Sequence, residues 1–125
     1  MLAPRHNLPM KSYQWTDIQE EQLNPLAGRR ALHGEKITVA RFRFDKGNQV
    51  AMHHHANDQI TIVQSGAVRM VVAGEEMQLK AGDMMHVPPD VPHGNEALED
   101  TVIIEVFSPV REDWIRGDDS YLRRK

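Results

Sequence analysis

The chain has 125 residues, a length typical of a single domain with its own hydrophobic core. Its 15 Lys and Arg residues and 18 Asp and Glu residues give a formal net charge of -3 without a basic stripe, so neither a nucleic acid nor an anionic membrane is an expected partner. The absence of cysteine excludes disulfides, thiolate ligands and cysteine nucleophiles, so any metal must be held by nitrogen and oxygen atoms.

The hydropathy pattern bears on the cellular compartment. No apolar run approaches the roughly 18 residues of a membrane-spanning helix. Residues 1–6 lack the apolar centre of a secretory signal. We therefore expect a cytoplasmic protein.

Residues 1–36 are polar and are interrupted by prolines and glycines, which predicts an N-terminal arm belonging to the same domain. Short β-branched and apolar runs separated by turn signals follow, a pattern typical of strands. The predicted strands are residues 37–44, 59–64, 68–72, 77–79, 84–87 and 101–107. Six or more short strands at this spacing predict an all-β sandwich or barrel over residues 37–111. Residues 112–125 are predicted to form a short C-terminal tail with a helical turn around Trp114 and Ile115.

Four side chains in the middle of the chain are candidate metal ligands. His53 and His55 share one face of an extended strand because side chains alternate, and Gln59 returns to that face four residues later. His93, on a separate strand, would complete a facial set of ligands around a divalent metal. One or two coordination positions would remain open to water or substrate. His54 points to the opposite face by parity and is excluded.

These residues are spaced among glycines and a proline in a recognisable way. The two stretches read Gly47-x5-His53-x-His55-x3-Gln59-x6-Gly66 and Gly82-x5-Pro88-x4-His93. They resemble the two motifs of the cupin superfamily, which build a site of three histidines and one carboxylate inside a small β-barrel. The resemblance implies a jelly-roll-like barrel with one divalent metal per chain, held by His53, His55, Gln59 and His93. Zn, Ni, Fe and Mn all suit imidazole and amide ligands, so the metal stays open.

Two positions depart from the cupin pattern. Asp90 replaces the glycine of the second motif, and Asp tolerates left-handed backbone better than most residues. Gln59 replaces the usual Glu, which removes a charge worth roughly 4 kcal/mol at about 4 Å and an effective dielectric of about 20, as an upper bound. A metal with only neutral ligands keeps its full charge. That suits polarising a substrate oxygen more than stabilising a higher oxidation state.

A narrower resemblance extends into the last predicted strand. The pattern Glu105-x-Phe107-x3-Arg111 is similar to the Asp-x-Phe-x3-Arg segment of the KdgF-type cupins of pectin and alginate breakdown. In that family three histidines and a glutamine hold the metal, while the acidic residue, Phe and Arg act on an unsaturated uronate and open its ring to a linear keto form. The resemblance implies catalytic roles for Glu105, Phe107 and Arg111, with Glu105 one methylene longer than the family's Asp.

The residues themselves leave two alternatives open at these positions. Glu105 interrupts an apolar strand, so it either pairs with Arg41, Arg43 or Arg69 or lies in a cavity where burial raises its pKa, as a general acid or base requires. Arg111 follows a Pro-containing bend, where it either forks onto a substrate carboxylate or is a plain surface arginine.

The interpretation carried forward is a metal-binding cupin that catalyses non-redox ring opening and ketonisation of an unsaturated uronate or a similar small carboxylated sugar derivative. A second interpretation keeps the barrel but uses Fe, Ni or Mn for dioxygen chemistry on an enol. A third is a non-catalytic module that binds a small ligand. Glu105 and Arg111 facing the metal cavity would favour catalysis. We also expect a homodimer, because a small isolated barrel leaves edge strands unpaired.

Overall fold

The computed structural model describes residues 10–123, in which ten strands form two sheets. The strands are β1 (Glu21–Asn24), β2 (Ala27–His33), β3 (Thr38–Phe44), β4 (Gln49–His53), β5 (Asp58–Ser65), β6 (Ala67–Val72), β7 (Glu75–Lys80), β8 (Met84–Val87), β9 (His93–Ala97) and β10 (Thr101–Ser108). A helix, α1 (Glu112–Arg116), follows β10, and 3-10 turns lie at Trp15–Asp17 and Ser120–Leu122. The larger sheet has the order β1-β2-β3-β10-β5-β8 and the smaller has the order β4-β9-β6-β7.

The two sheets enclose one hydrophobic core, so the predicted all-β, jelly-roll-like fold is confirmed. Every second residue of β3 is buried, as expected for a strand with one face against a core. The core cluster includes Phe42 and Phe44 of the larger sheet, Val68 and Met70 of the smaller sheet, and Trp114 of α1. Fully burying one such side chain contributes about 1.5–3 kcal/mol, so these contacts hold the sheets together.

The six predicted strands correspond to β3, β5, β6, β7, β8 and β10, but four further strands are present. Two of these, β1 and β2, lie within the predicted N-terminal arm, and β2 pairs with β3 from Ala27 to His33. The sequence of β2 does not show the alternation of apolar and polar residues expected for a strand, because the buried position 29 carries an arginine. The strands β4 and β9 were expected only as extended stretches around His53 and His93, because each is five residues long and carries no run of β-branched residues. Residues 1–9 of the predicted arm and 124–125 of the predicted tail lie outside the described residues.

Two turns of the fold contain residues with left-handed backbone. Gly66 joins β5 to β6 with φ of 84°, and a Cβ atom there would collide with the carbonyl oxygen of Asp100. Asp90 adopts φ of 63°, in agreement with the left-handed backbone expected at that motif position. Its N–H donates to the carbonyl oxygen of His55 over 2.8 Å. The turn before β9 therefore fixes the loop that carries a candidate ligand.

The tail after β10 returns to the core. The predicted helical turn around Trp114 and Ile115 is confirmed by α1, with Trp114 buried among Phe42 and Phe107. No helix among residues 10–123 is long and apolar enough to cross a membrane.

Candidate metal centre

Three predicted ligands come together between the two sheets. His53 ends β4 and faces His93, which begins β9, in direct cross-strand register. His55 lies two residues beyond β4. The candidate ligand atoms of the three rings all lie within 4.8 Å of one another. The three histidines therefore form a group suited to a metal ion.

The tautomer of each ring is set by the backbone. In all three histidines Nδ1 lies within hydrogen-bond distance of a carbonyl oxygen two residues away in sequence, which favours a proton on Nδ1. The acceptors are Ala51 for His53 (2.7 Å), Asn57 for His55 (3.1 Å) and Val91 for His93 (2.8 Å). A proton on Nδ1 leaves the lone pair of each Nε2 for a metal. Metal-ligating histidines are commonly oriented by such hydrogen bonds from their second nitrogen.

The electrostatics of the site keep these rings neutral. Burial lowers the pKa of His53 to about 3 and that of His55 to about 4, and it lowers the pKa of His93 as well. The positive charge of Arg111 contributes to each of these shifts. Neutral imidazole is the form that binds a metal, so the ligands need no deprotonation near neutral pH.

Gln59 adds a fourth candidate ligand, with its amide oriented by its neighbours. Its Nε2 donates hydrogen bonds of 2.9 Å to Thr61 Oγ1 and to Glu105 Oε2. Its Oε1 lies 3.0 Å from Nε2 of His55, a contact that either a proton on Nε2 or a cation shared by the two atoms would satisfy.

When Nδ1 of His55 holds the proton against Asn57, the Nε2 and the amide oxygen are both acceptors, and a cation close to both removes their repulsion. Ligand atoms about 2.1 Å from one ion, at right angles to each other, lie about 3.0 Å apart. The residues present thus fit a divalent metal held by three imidazole nitrogens and one amide oxygen. The membership of Gln59 in the ligand set stays a prediction, which this geometry supports.

Glu105 lies on the inner face of the larger sheet, directly between Ala40 and Thr61, both fully buried. Its Oε2 accepts hydrogen bonds from Thr61 Oγ1 (2.7 Å) and Gln59 Nε2 (2.9 Å). Burial is the main cause that raises the pKa of Glu105 to about 7. Among the described residues, no arginine forms a salt bridge with Glu105; Arg43 pairs with other carboxylates. Glu105 is partly buried and pairs with none of the three arginines, which agrees with the alternative in which burial raises its pKa.

Arg111 is 1% exposed, so the surface-arginine alternative is wrong. Its Nε and Nη2 fork onto the carboxylate of Asp113 at 3.0 and 2.8 Å, and Nη2 also donates to the hydroxyl of Tyr121. The guanidinium carbon lies 4.5 Å from the ring centroid of Phe107 and 4.3 Å from that of Trp114. The predicted contact of Arg111 with a substrate carboxylate stays a prediction, and Nη1 is the guanidinium nitrogen that donates to no described partner.

Phe107 forms part of the wall beside the histidines. It is 1% exposed, lies opposite Gln59 in the β5–β10 register, and makes an edge contact with the ring of His55 at 5.7 Å between centroids. Its other side packs on Trp114. Phe107 therefore links the candidate ligands to the hydrophobic core.

Three residues of the site were not foreseen from the sequence. Thr61 lies two positions after Gln59 and Asp113 two after Arg111, so alternation along the strand and proximity in sequence were available signals. Tyr121 lies in a charged tail, where no local pattern points to the site.

Comparisons with known proteins agree with this geometry. The family described as Cupin domain matches residues 40–108, more than half of the chain. The pectin degradation protein KdgF of Dickeya dadantii is 38% identical over 74 residues, which cover 58% of this chain and 67% of that protein. The structure of KdgF from Halomonas sp. superposes with a TM-score of 0.80 at 29% identity, covering 85% of this chain and 99% of that one.

An RmlC-like cupin from Shewanella frigidimarina superposes with a TM-score of 0.79 at 29% identity, covering 85% of this chain and 96% of that one. The sequence match, the fold and the histidine group all point to the same family. The chain therefore belongs to the cupin family, and within it resembles the KdgF proteins.

Proposed function

We propose that this protein is an enzyme that opens the ring of a 4,5-unsaturated uronate and tautomerises the resulting enol to the linear keto form. The observation that carries the proposal is the hydrogen-bonded series from Glu105 through Gln59 to His55. It connects a partly buried carboxyl to the candidate metal centre through a single side chain. The similarity to a protein named for pectin degradation supports this substrate class.

The reaction is an isomerisation in which one proton changes position. The hydroxyl on C1 loses its proton, the bond between C1 and the ring oxygen breaks, and C1 becomes an aldehyde. The ring oxygen leaves as the enolate on C5, and C4 gains a proton as C5 becomes a ketone. A divalent metal at the histidine group supplies Lewis acidity, which polarises a substrate oxygen.

Glu105 is assigned the proton transfers. Its Oε2 is occupied by Thr61 and Gln59, whereas no described residue donates to its Oε1. One oxygen is therefore held in place and the other is left for the substrate. A pKa of about 7 agrees with a group that both accepts and donates near neutral pH.

Arg111 and Phe107 are assigned the positioning of the substrate. The nitrogen Nη1 of Arg111 has no described hydrogen-bond acceptor and is the part of the guanidinium left for a carboxylate. Asp113 and Tyr121 hold the remainder of that group still, which fixes the direction of its free edge. Phe107 supplies an apolar wall beside His55.

The location of Glu105 and Arg111 also separates the proposal from a simple binding module. Arg111 is 1% exposed, and Glu105 lies partly buried on the inner face of the larger sheet. A partly buried carboxyl beside a candidate metal centre has a cost in stability that a ligand-binding role alone does not require.

The proposal is tested with an unsaturated uronate prepared by a polysaccharide lyase. Loss of ultraviolet absorbance from the conjugated enol acid is followed with protein loaded in turn with Zn, Ni, Fe and Mn, against chelator-treated protein. We expect metal-loaded protein to exceed the spontaneous opening rate, and chelator treatment to abolish the excess. No rate above background with any of these metals would refute the proposal.

A further inference from the structure

The C-terminal segment after α1 brings an aromatic ring to the metal centre. Tyr121 lies in the 3-10 turn Ser120–Leu122, and its ring centroid is 4.3 Å from that of His53 with an angle of 32° between the planes. His93 also lies 4.3 Å from His53, measured between centroids. A candidate metal ligand thus contacts a ring from β9 and a ring from the tail.

The hydroxyl of the same residue contacts the predicted substrate side. Tyr121 Oη accepts hydrogen bonds from Arg111 Nη2 at 2.5 Å and from Trp114 Nε1 at 3.2 Å. One side chain therefore contacts His53 through its ring and Arg111 through its oxygen. No other described residue makes both contacts.

The segment is tied to the rest of the fold by buried polar contacts. Asp119 and Arg29 are each 2% exposed and form an ion pair of 2.8 Å, which joins the tail to β2. Leu122 is buried in the core cluster, and its carbonyl oxygen accepts a hydrogen bond from Asn24 of β1. Arg123 pairs with Asp119 at 3.0 Å. The position of Tyr121 is therefore set by the hairpin β1–β2.

We propose that Tyr121 is a positioning residue of the metal centre. Its ring restricts rotation of the His53 imidazole, and its hydroxyl holds the Arg111 guanidinium. The Arg29–Asp119 ion pair keeps the segment in place. The part that concerns Arg111 rests on the function proposed above, whereas the part that concerns His53 requires only metal binding. Residues that orient metal ligands typically contribute 10- to 100-fold to metal affinity.

The first test is calorimetric titration of Zn²⁺ into metal-free protein. Tyr121→Leu removes the ring and should weaken Zn²⁺ binding by roughly tenfold or more, whereas Tyr121→Phe keeps the ring and should bind within about twofold of wild type. Tyr13 is the matched control, because it is the chain's other tyrosine and is 51% exposed. Tyr13→Leu should leave the dissociation constant unchanged. Equal dissociation constants for Tyr121→Leu and wild type would overturn the proposal.

The second test needs no destabilising variant. Wild-type protein labelled with 3-fluorotyrosine has two fluorine resonances, assigned with Tyr13→Phe. Addition of Zn²⁺ should shift the resonance of Tyr121 and leave that of Tyr13 in place. A titration in which Zn²⁺ binds but neither resonance moves, or both move equally, would contradict the proposal. Since both tests use the metal alone, they give a result independently of whether the uronate is a substrate.

Discussion

The amide nitrogen of Gln59 donates a hydrogen bond of 2.9 Å to Oε2 of Glu105. This bond decides which end of the amide faces the histidines, because Oε1 must then turn toward His55. The Glu that usually occupies this cupin position would bring a second carboxylate next to Glu105, and two such groups cannot both stay ionised. The amide at position 59 and the carboxyl at position 105 are therefore matched to each other.

Gln59→Glu should bind the metal more tightly and turn over the uronate more slowly. The added charge attracts the ion by up to roughly 4 kcal/mol at about 4 Å and an effective dielectric of about 20. The same charge raises the pKa of Glu105 further and holds it protonated. Metal affinity is measured by competition with a chelator, and turnover by ultraviolet absorbance. Gln64→Glu, at an exposed position of the same strand, is the control and should leave both unchanged. Wild-type values of both quantities in Gln59→Glu would show that Gln59 is not a ligand.

Glu105→Gln should lower the rate of uronate conversion on the order of a hundredfold or more, since general acid–base catalysis typically contributes that much. The amide has no proton to exchange near neutral pH. Glu105→Asp restores the residue type of the similar KdgF pattern and should retain most of the activity. Rates are compared at saturating substrate with equal metal content. An unchanged rate in Glu105→Gln would remove the proton-transfer role from this residue.

Asp119→Asn should lower the free energy of unfolding by about 2 kcal/mol, because the buried Arg29 would lose its buried partner and keep only its 3.1 Å pair with the half-exposed Glu21. Burial opposes ionisation of Asp119, but hydrogen bonds from Arg123 and Arg29 outweigh it and lower its pKa. Its contribution is therefore complete above the unfolded pKa of about 3.9 and is lost as the pH falls through the lower folded value.

Urea unfolding of Asp119→Asn and wild type checks this at neutral pH and in acid. The difference between the two proteins should be largest at neutral pH and should shrink in acid. A difference that is absent at neutral pH, or that grows on acidification, would contradict the role of the ion pair.

A homodimer remains a prediction, and the outer face of the larger sheet gives it a location. Leu32, Val39, Val106 and Ile60 lie side by side in register across β2, β3, β10 and β5, on the face opposite the core. An apolar row on an outer face is typical of an interface. Light scattering at micromolar concentration should give about twice the chain mass of 14.3 kDa, and Val106→Lys should halve it. A wild-type mass of one chain would contradict the prediction.

The sequence predicted the histidines of the site more completely than it predicted the structure around them. Motif spacing singled out the three histidines that come together, but the alternation expected to align them with Gln59 on one strand was wrong, because His55 lies beyond β4 and Gln59 lies on β5 of the other sheet. The hairpin β1–β2 could not be predicted, because Arg29 occupies a core-facing position and its charge is balanced by Asp119, 90 residues away. Tyr121 was missed because its contacts with His53 and Arg111 depend on how the tail packs, which no local sequence pattern shows.

Diffraction data collected at the absorption edge of the added metal test the central claim most directly. We expect one anomalous peak per chain, about 2.0–2.2 Å from Nε2 of His53, His55 and His93 and from Oε1 of Gln59. Crystals of His93→Ala should show that peak weakened or absent. No peak among these side chains, or a peak more than about 3 Å from Oε1 of Gln59, would contradict the four-ligand metal centre.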